Sequence, residues 1–432
     1  MRFSKINLLL ICNSLIITTI ILFLLSINVS NSIIVILLLA FMIYQLSLIF
    51  HSSKNLFDMN FVFTLVWFMS LSLSVLQLHP IQVNWSMTSW ICFLGAYLFF
   101  LIGSLVEISC HASTNVYFIL NKDSTKFSIY LLLILVTIPF IIEVLHSGIP
   151  AFSGSMSAYK DFAMPFIHYL TVSCVLLPPF IIYYFVKFNS SFFDKVIFLT
   201  ILIYAVSIPI LIVSRQLIIL TLILSVLSYY FASDKIPKLS NAVLLLVVLF
   251  ILWIITSALR NQNESYMNAV FEYNLFKINL PLSLKNAYSY VAWNFDNFNY
   301  NINFIDFKFG RNFLEPFLSF FGARKFLPDV FFNNELPNIF KTYTTMPITY
   351  NGYQDFGIVG VLFYMFFIGY ICQFFKDNSK LSFFNFLEYA LCIYGLSMSF
   401  FTSFFSSTNF WGYLIILIVI KHVVSHYRLK LR

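Results

Sequence analysis

Charge is what this sequence has least of. Asp, Glu, Lys and Arg make up 10% of its 432 residues while hydrophobic residues make up 60%, against roughly 25% charged and 45–50% apolar in soluble domains. A soluble globular domain is excluded. Paired cysteines are absent as well: Cys12, Cys92, Cys110, Cys174, Cys372 and Cys392 lie in or beside apolar runs, with no Cys-x-x-Cys spacing. That argues against a disulfide framework and a cysteine zinc site. No Asp-x-Asp pair occurs, which weakens a metal-dependent nucleotide-sugar transferase, and neither a metal nor another cofactor is expected.

What is present is hydrocarbon, in runs long enough to cross a bilayer. About 20 apolar residues in a helix span a core of about 30 Å with every backbone hydrogen bond made internally. Twelve such runs are predicted, over 7–27, 31–50, 60–79, 87–106, 127–146, 166–186, 196–213, 216–232, 242–259, 356–375, 383–400 and 409–424. The first is full length and is followed at once by another, so it reads as a span rather than a cleavable signal. The expected fold is an all-α, polytopic transmembrane bundle forming one integral membrane domain over 1–432.

Basic residues orient it. With the N-terminus cytoplasmic, fifteen of the 25 Lys and Arg fall on the inner side, and the short outer loops keep only Lys160 and Arg215. That is the asymmetry of the positive-inside rule. Both termini are therefore expected in the cytoplasm, and the net charge of +8 reports contact with anionic membrane lipid, not with nucleic acid.

One stretch, 260–355, is too polar for the bilayer and is expected outside it as a large loop. It has no Cys and no His, eight basic and eight acidic residues, and many aromatics, a composition unlike that of a disordered linker. Within it, 276–295 and 312–321 mix aromatic, aliphatic and polar residues in the manner of short interfacial helices. The loop is expected to fold back on the bundle. Trp293, Tyr343 and Tyr353 in it have rings suited to packing on a sugar while a polar atom meets a hydroxyl.

Arg215 stands in the predicted outer turn Val213-Ser214-Arg215-Gln216, and Arg260 ends the ninth span. A forked guanidinium binds phosphate or pyrophosphate bidentately; the structural alternative is an arginine that snorkels to the interface. Arg311 and Arg324-Lys325 add to a positive outer cavity. For a general base, Asp161, His146, His168 and His79 all lie near outer ends of spans, and only geometry chooses among them. Glu143 and Glu388, inside predicted spans, are expected to pair or to face a wet cavity.

The most specific run is Tyr343-Thr344-Thr345 followed by Asn351-Gly352-Tyr353-Gln354-Asp355-Phe356-Gly357-Ile358-Val359-Gly360. Asp355 is positioned to cap the amides of the tenth span, and Gly357 and Gly360 permit close helix approach. A Tyr-Thr element, an aromatic run, then Asp-Phe-Gly-x-x-Gly opening a membrane helix resembles the Wzy-type O-antigen polymerases, as do the many spans and the large outer loop.

The resemblance implies a GT-C-like fold in the bacterial inner membrane, with the loop periplasmic. It implies a glycosyltransferase that polymerises undecaprenyl-pyrophosphate-linked repeat units of O-antigen or a related surface polysaccharide. A chain-length regulator and a flippase are the implied partners. Tyr343, Thr344, Asp355, Gly357 and Gly360 match motif positions, and Arg215 and Arg260 correspond to the outward arginines such enzymes use. Asp355, Asp161 and His168 are the general-base candidates; Arg215, Arg260, Arg311, Arg324, Tyr343, Thr344 and Tyr353 are the substrate-binding candidates. The alternatives are an O-antigen ligase, for which a loop histidine is expected and missing, and a flippase of the same lipid-linked units, which needs no large folded loop.

Overall fold

The structure, a computed structural model, describes residues 5–106, 120–152, 162–164, 166–259, 264–320, 339 and 343–430. Among them every regular element is a helix. The first eight are α1 (Lys5–Ser26), α2 (Asn31–Ser53), α3 (Met59–Val75), α4 (Met87–Ser104), α5 (Lys122–Ser147), α6 (Ile167–Val172), α7 (Leu177–Lys187) and α8 (Phe192–Leu211). Then come α9 (Arg215–Ser233), α10 (Leu239–Leu259), α11 (Glu264–Phe271), α12 (Leu282–Asn301), α13 (Arg311–Phe320), α14 (Thr349–Asn378), α15 (Phe383–Ser397) and α16 (Thr408–Lys430). A single 3-10 turn, Ser173–Leu176, joins α6 to α7.

Each predicted span falls on helical residues, and among the described residues nine helical stretches, one of them α6, the 3-10 turn and α7 taken together, are long and apolar enough to cross a membrane. α3 with 17 residues and α15 with 15 are shorter, while α10 has 21 residues of almost wholly apolar sequence. At 1.5 Å per residue, α15 reaches about 23 Å, short of a core of about 30 Å. The sequence overestimates α3 because its apolar run continues past Val75, where the backbone turns and Gln77 adopts φ 49°. Along the longer helices Ile36, Ile134, Ile203 and Leu246 are more than half exposed, a surface that suits hydrocarbon.

The helices gather into two compact units. The first comprises Met1–His111, Glu264–Asp377 and Gly395–Thr408; the second comprises Ala112–Asn263, Asn378–Tyr394 and Asn409–Arg432.

In the first unit α12 packs on α3. Its sequence is polar, yet Trp293, Asn294, Phe295 and Asn297 are all but fully buried, so 276–295 is not the interfacial helix expected. Hydrogen bonding explains the burial. Asp296 accepts from Trp85 Nε1 at 2.8 Å and Gln82 Nε2 at 2.7 Å, and Tyr288 Oη donates to Gln82 Oε1 at 2.7 Å. Asn299 Oδ1 accepts from Ser86 N and Ser89 Oγ, both at 2.8 Å. Met267, Phe271, Tyr273, Phe276 and Trp293 form an apolar cluster beside this network.

Burial pushes the Asp296 carboxyl from 3.8 up to about 7, against the pull of its donors Trp85, Gln82 and Ser74. Across that window the folded protein holds a proton that the unfolded chain has released, so this group's contribution to stability falls as pH rises. The purified protein should therefore lose thermal stability relative to an Asp296→Asn variant as pH is raised from about 5 to about 8. Parallel melting curves for the two would contradict this burial.

α13 has an apolar face with Phe313, Leu314 and Phe317 about 40–50% exposed. Its N-terminus is held by α14. Asp355 Oδ1 accepts from Asn312 N at 3.0 Å and Oδ2 from Phe313 N at 3.1 Å. Asp355 thus caps α13 and not, as expected, the helix that contains it.

α14 itself is bent at Phe356 (φ −146°, ψ 28°) and Gly357 (φ 63°, ψ −145°). Eight residues along a straight helix cover about 12 Å, yet a Cβ on Gly360 would lie 2.0 Å from the Gly352 carbonyl oxygen. The chain doubles back there. Asp-Phe-Gly-x-x-Gly is the sequence of an elbow: Gly357 supplies a conformation closed to other residues, and Gly360 lets the Gly352 backbone come into contact.

Candidate functional site

In the second unit, α5 and α8 reach the same end of the bundle, with the rings of Phe140 and Tyr204 6.5 Å apart near their last two turns. Glu143 lies one turn before the end of α5 and is fully buried. Its Oε1 accepts from Met164 N at 3.0 Å and pairs with His168 Nδ1 at 3.0 Å. A carboxylate on Nδ1 fixes the imidazole tautomer and leaves Nε2 to accept a proton. The His168 side chain is 21% exposed, so the pair is open on one side.

At this end α8 stops and α9 starts. Pro209 lies inside α8, and Ser214 N donates to its carbonyl at 3.0 Å, closing the helix. Val213 follows with φ 57°, an unfavourable conformation for a β-branched residue. Ser214 then caps α9 by accepting from Leu217 N. Phe166, two residues before His168, is also at positive φ, 66°. Each of the two candidate side chains therefore follows a strained backbone residue, and such strain gathers at functional sites.

Arg215 is the first residue of α9, 6% exposed. Its Nη2 donates to Ser257 Oγ of α10 at 3.1 Å. A cation at the positive end of a helix dipole is unfavourable alone and favourable with an anion. Beside it lies an apolar cavity of about 270 Å³, lined by Pro178, Leu202, Val206, Pro209, Val213 and Ile218 among others. Val213 and Ile218, on either side of Arg215 in sequence, belong to its wall, although Arg215 itself does not. This arrangement suits an amphiphile with an anionic head.

The other sequence candidates serve differently. Asp161, Arg260 and Arg324 lie outside the described residues. Arg311, buried at the start of α13, pairs with Glu315 at 3.5 Å. Tyr343 packs against Trp293 and donates its hydroxyl to Ser289 O at 2.9 Å; Trp293 is 2% exposed and so closed to a sugar, whereas Tyr343 is half-buried. Thr344 is exposed and Tyr353 half-buried against Phe298 and Phe307. Both Asp355 oxygens are occupied in capping. His146 is exposed beside Ser147, and buried His79 meets Glu272 O at 3.0 Å.

Two residues escaped the sequence reading. Ser257 has no local signal. Asn297 donates to Tyr343 O at 2.8 Å and Thr345 O at 3.1 Å, fixing the approach to the elbow. Its spacing with Asn294 and Asn301 on one helix face was a usable clue. Among the described residues no three His, Cys, Asp or Glu converge as metal ligands. No family model matches the chain, and no curated protein and no solved structure matches it significantly.

Proposed function

We propose that this protein polymerises oligosaccharide repeat units carried on a polyprenyl pyrophosphate, as the Wzy-type polymerases do, at the outer face of the bacterial cytoplasmic membrane. The observation that carries the reading is a buried Arg215 at the start of a helix whose neighbouring residues, Val213 and Ile218, wall an apolar cavity, in the same unit as the Glu143–His168 pair. Pyrophosphate meets the guanidinium, and the first prenyl units enter the cavity. The scarcity of basic residues in the short loops on that side supports an outward orientation, with both termini cytoplasmic.

In the reaction, a hydroxyl of one lipid-linked unit attacks the anomeric carbon of the glycan carried on a second lipid. His168 Nε2 takes the hydroxyl proton, with Glu143 stabilising the imidazolium. The new glycosidic C–O bond forms as the bond from the anomeric carbon to pyrophosphate breaks. Polyprenyl pyrophosphate leaves with its negative charge held by Arg215. The activated bond supplies the energy, so no nucleotide or redox cofactor takes part. A flippase delivering the units and a regulator of chain length are the partners this reaction calls for.

The test is reconstitution. Purified protein in lipid nanodiscs, given lipid-linked repeat units from its own host, should yield products of two or more units and free polyprenyl pyrophosphate. Failure to join any unit to a second overturns the reading. Transfer only to a different lipid acceptor would replace it with a ligase.

A further inference from the structure

We infer that the first unit carries a separate binding pocket for a single neutral sugar ring. The pocket, of about 200 Å³, lies among the α1–α2 turn, the end of α3 and the start of α4, and its walls include Asn28, Asn31, Gln77, Asn84, Trp85 and Trp90. A dry cavity of about 150 Å³ takes benzene, and drug-sized ligands need about 300 Å³ or more. The space fits one ring.

The lining selects the chemistry. None of its residues is charged, so it matches neither a phosphate nor an ammonium. Asn84 Oδ1 accepts from Asn31 Nδ2 at 3.3 Å and Gln77 Nε2 at 3.1 Å, which orients both amides. Asn31 Oδ1, Gln77 Oε1, Asn84 Nδ2 and the Asn28 side-chain amide make no hydrogen bond to a described residue. Those groups are a mixed set of donors and acceptors, the complement of hydroxyls, each of which is both. Trp85 and Trp90, 9% and 3% exposed, wall the pocket without opening a ring face, so the selectivity lies in the amides.

The site is built rather than incidental. Trp85 is fixed by its 2.8 Å bond to Asp296, and its ring lies 5.0 Å from that of Trp90. Asn28 and Gln77, both in its wall, hold positive φ, 54° and 49°, which is uncommon for glutamine. The recognition stands without the transferase reading, because it uses different residues in the other unit.

Binding can be read by saturation-transfer NMR on the full protein in phosphatidylcholine nanodiscs free of sugar-headed detergent. The probes are methyl glycosides of glucose, galactose, rhamnose and N-acetylglucosamine. Transfer to at least one is expected. An Asn31→Leu/Asn84→Leu double variant, altered only at partly or fully exposed positions, should bind it at least about tenfold more weakly with an unchanged melting midpoint. Arg215→Ala should bind normally. Competition from monoglucosyl diacylglycerol in the disc would mark the ring as a lipid headgroup, and its absence a free glycan; both agree with the inference. No transfer to any probe, undiminished binding by the double variant, or loss of binding in Arg215→Ala overturns it.

Discussion

Arg215→Ala is expected to slow joining of lipid-linked units by about 100- to 1,000-fold, the loss that follows removal of one preorganised donor to a developing oxyanion. Three features make the effect large. The guanidinium is buried, where charge interactions are least screened. It is oriented by Ser257, so it needs no reorganisation as charge develops. It also sits on the N-terminus of α9, whose dipole adds to its field. Arg215→Lys should recover only part of the rate, because a single ammonium cannot match a forked contact to pyrophosphate. Single-turnover assays with saturating donor separate this loss from weakened binding. Native rates in Arg215→Ala would remove the residue from the mechanism.

Gly360→Ala should be the most damaging small substitution for folding. The added methyl would sit 2.0 Å from Gly352 O, and the atom it meets is backbone, which cannot rotate away. Ordinary overpacking costs about 1–3 kcal/mol; here two helical segments must separate and Asp355 must release α13, so a loss above about 3 kcal/mol is expected. The measurement is the melting midpoint and the monodisperse yield of detergent-solubilised protein. Phe356→Ala, at a position 51% exposed, is the control and should change little. A Gly360→Ala protein that purifies and melts like the wild type would rule out the elbow.

The elbow shows how far a motif can be read without coordinates. That Asp355, Gly357 and Gly360 belong together was legible, because glycines at fixed spacing beside a helix start imply a backbone constraint. Which helix Asp355 would cap was not. Its partners, Asn312 and Phe313, are over 40 residues away, and a carboxylate before an apolar run caps its own helix in the simplest reading. The Asn-rich α12 misled in a related way. Its polarity suggested the interface, whereas its amides are consumed inside the first unit by Ser86, Ser89, Tyr343 and Thr345.

What the chain decides locally could be read from it directly. Helical membrane character and the approximate places of the apolar helices rest on features within about 20 consecutive residues, chiefly apolar run length and caps. The pairing of Glu143 with His168, 25 residues apart, and of Arg215 with Ser257, 42 apart, came only from tertiary structure. In a bilayer chain the helix faces are nearly uniform Leu, Ile and Phe, so the packing that brings these side chains together leaves little periodic trace in the sequence. Composition points to a helical membrane protein; packing determines which few polar side chains meet.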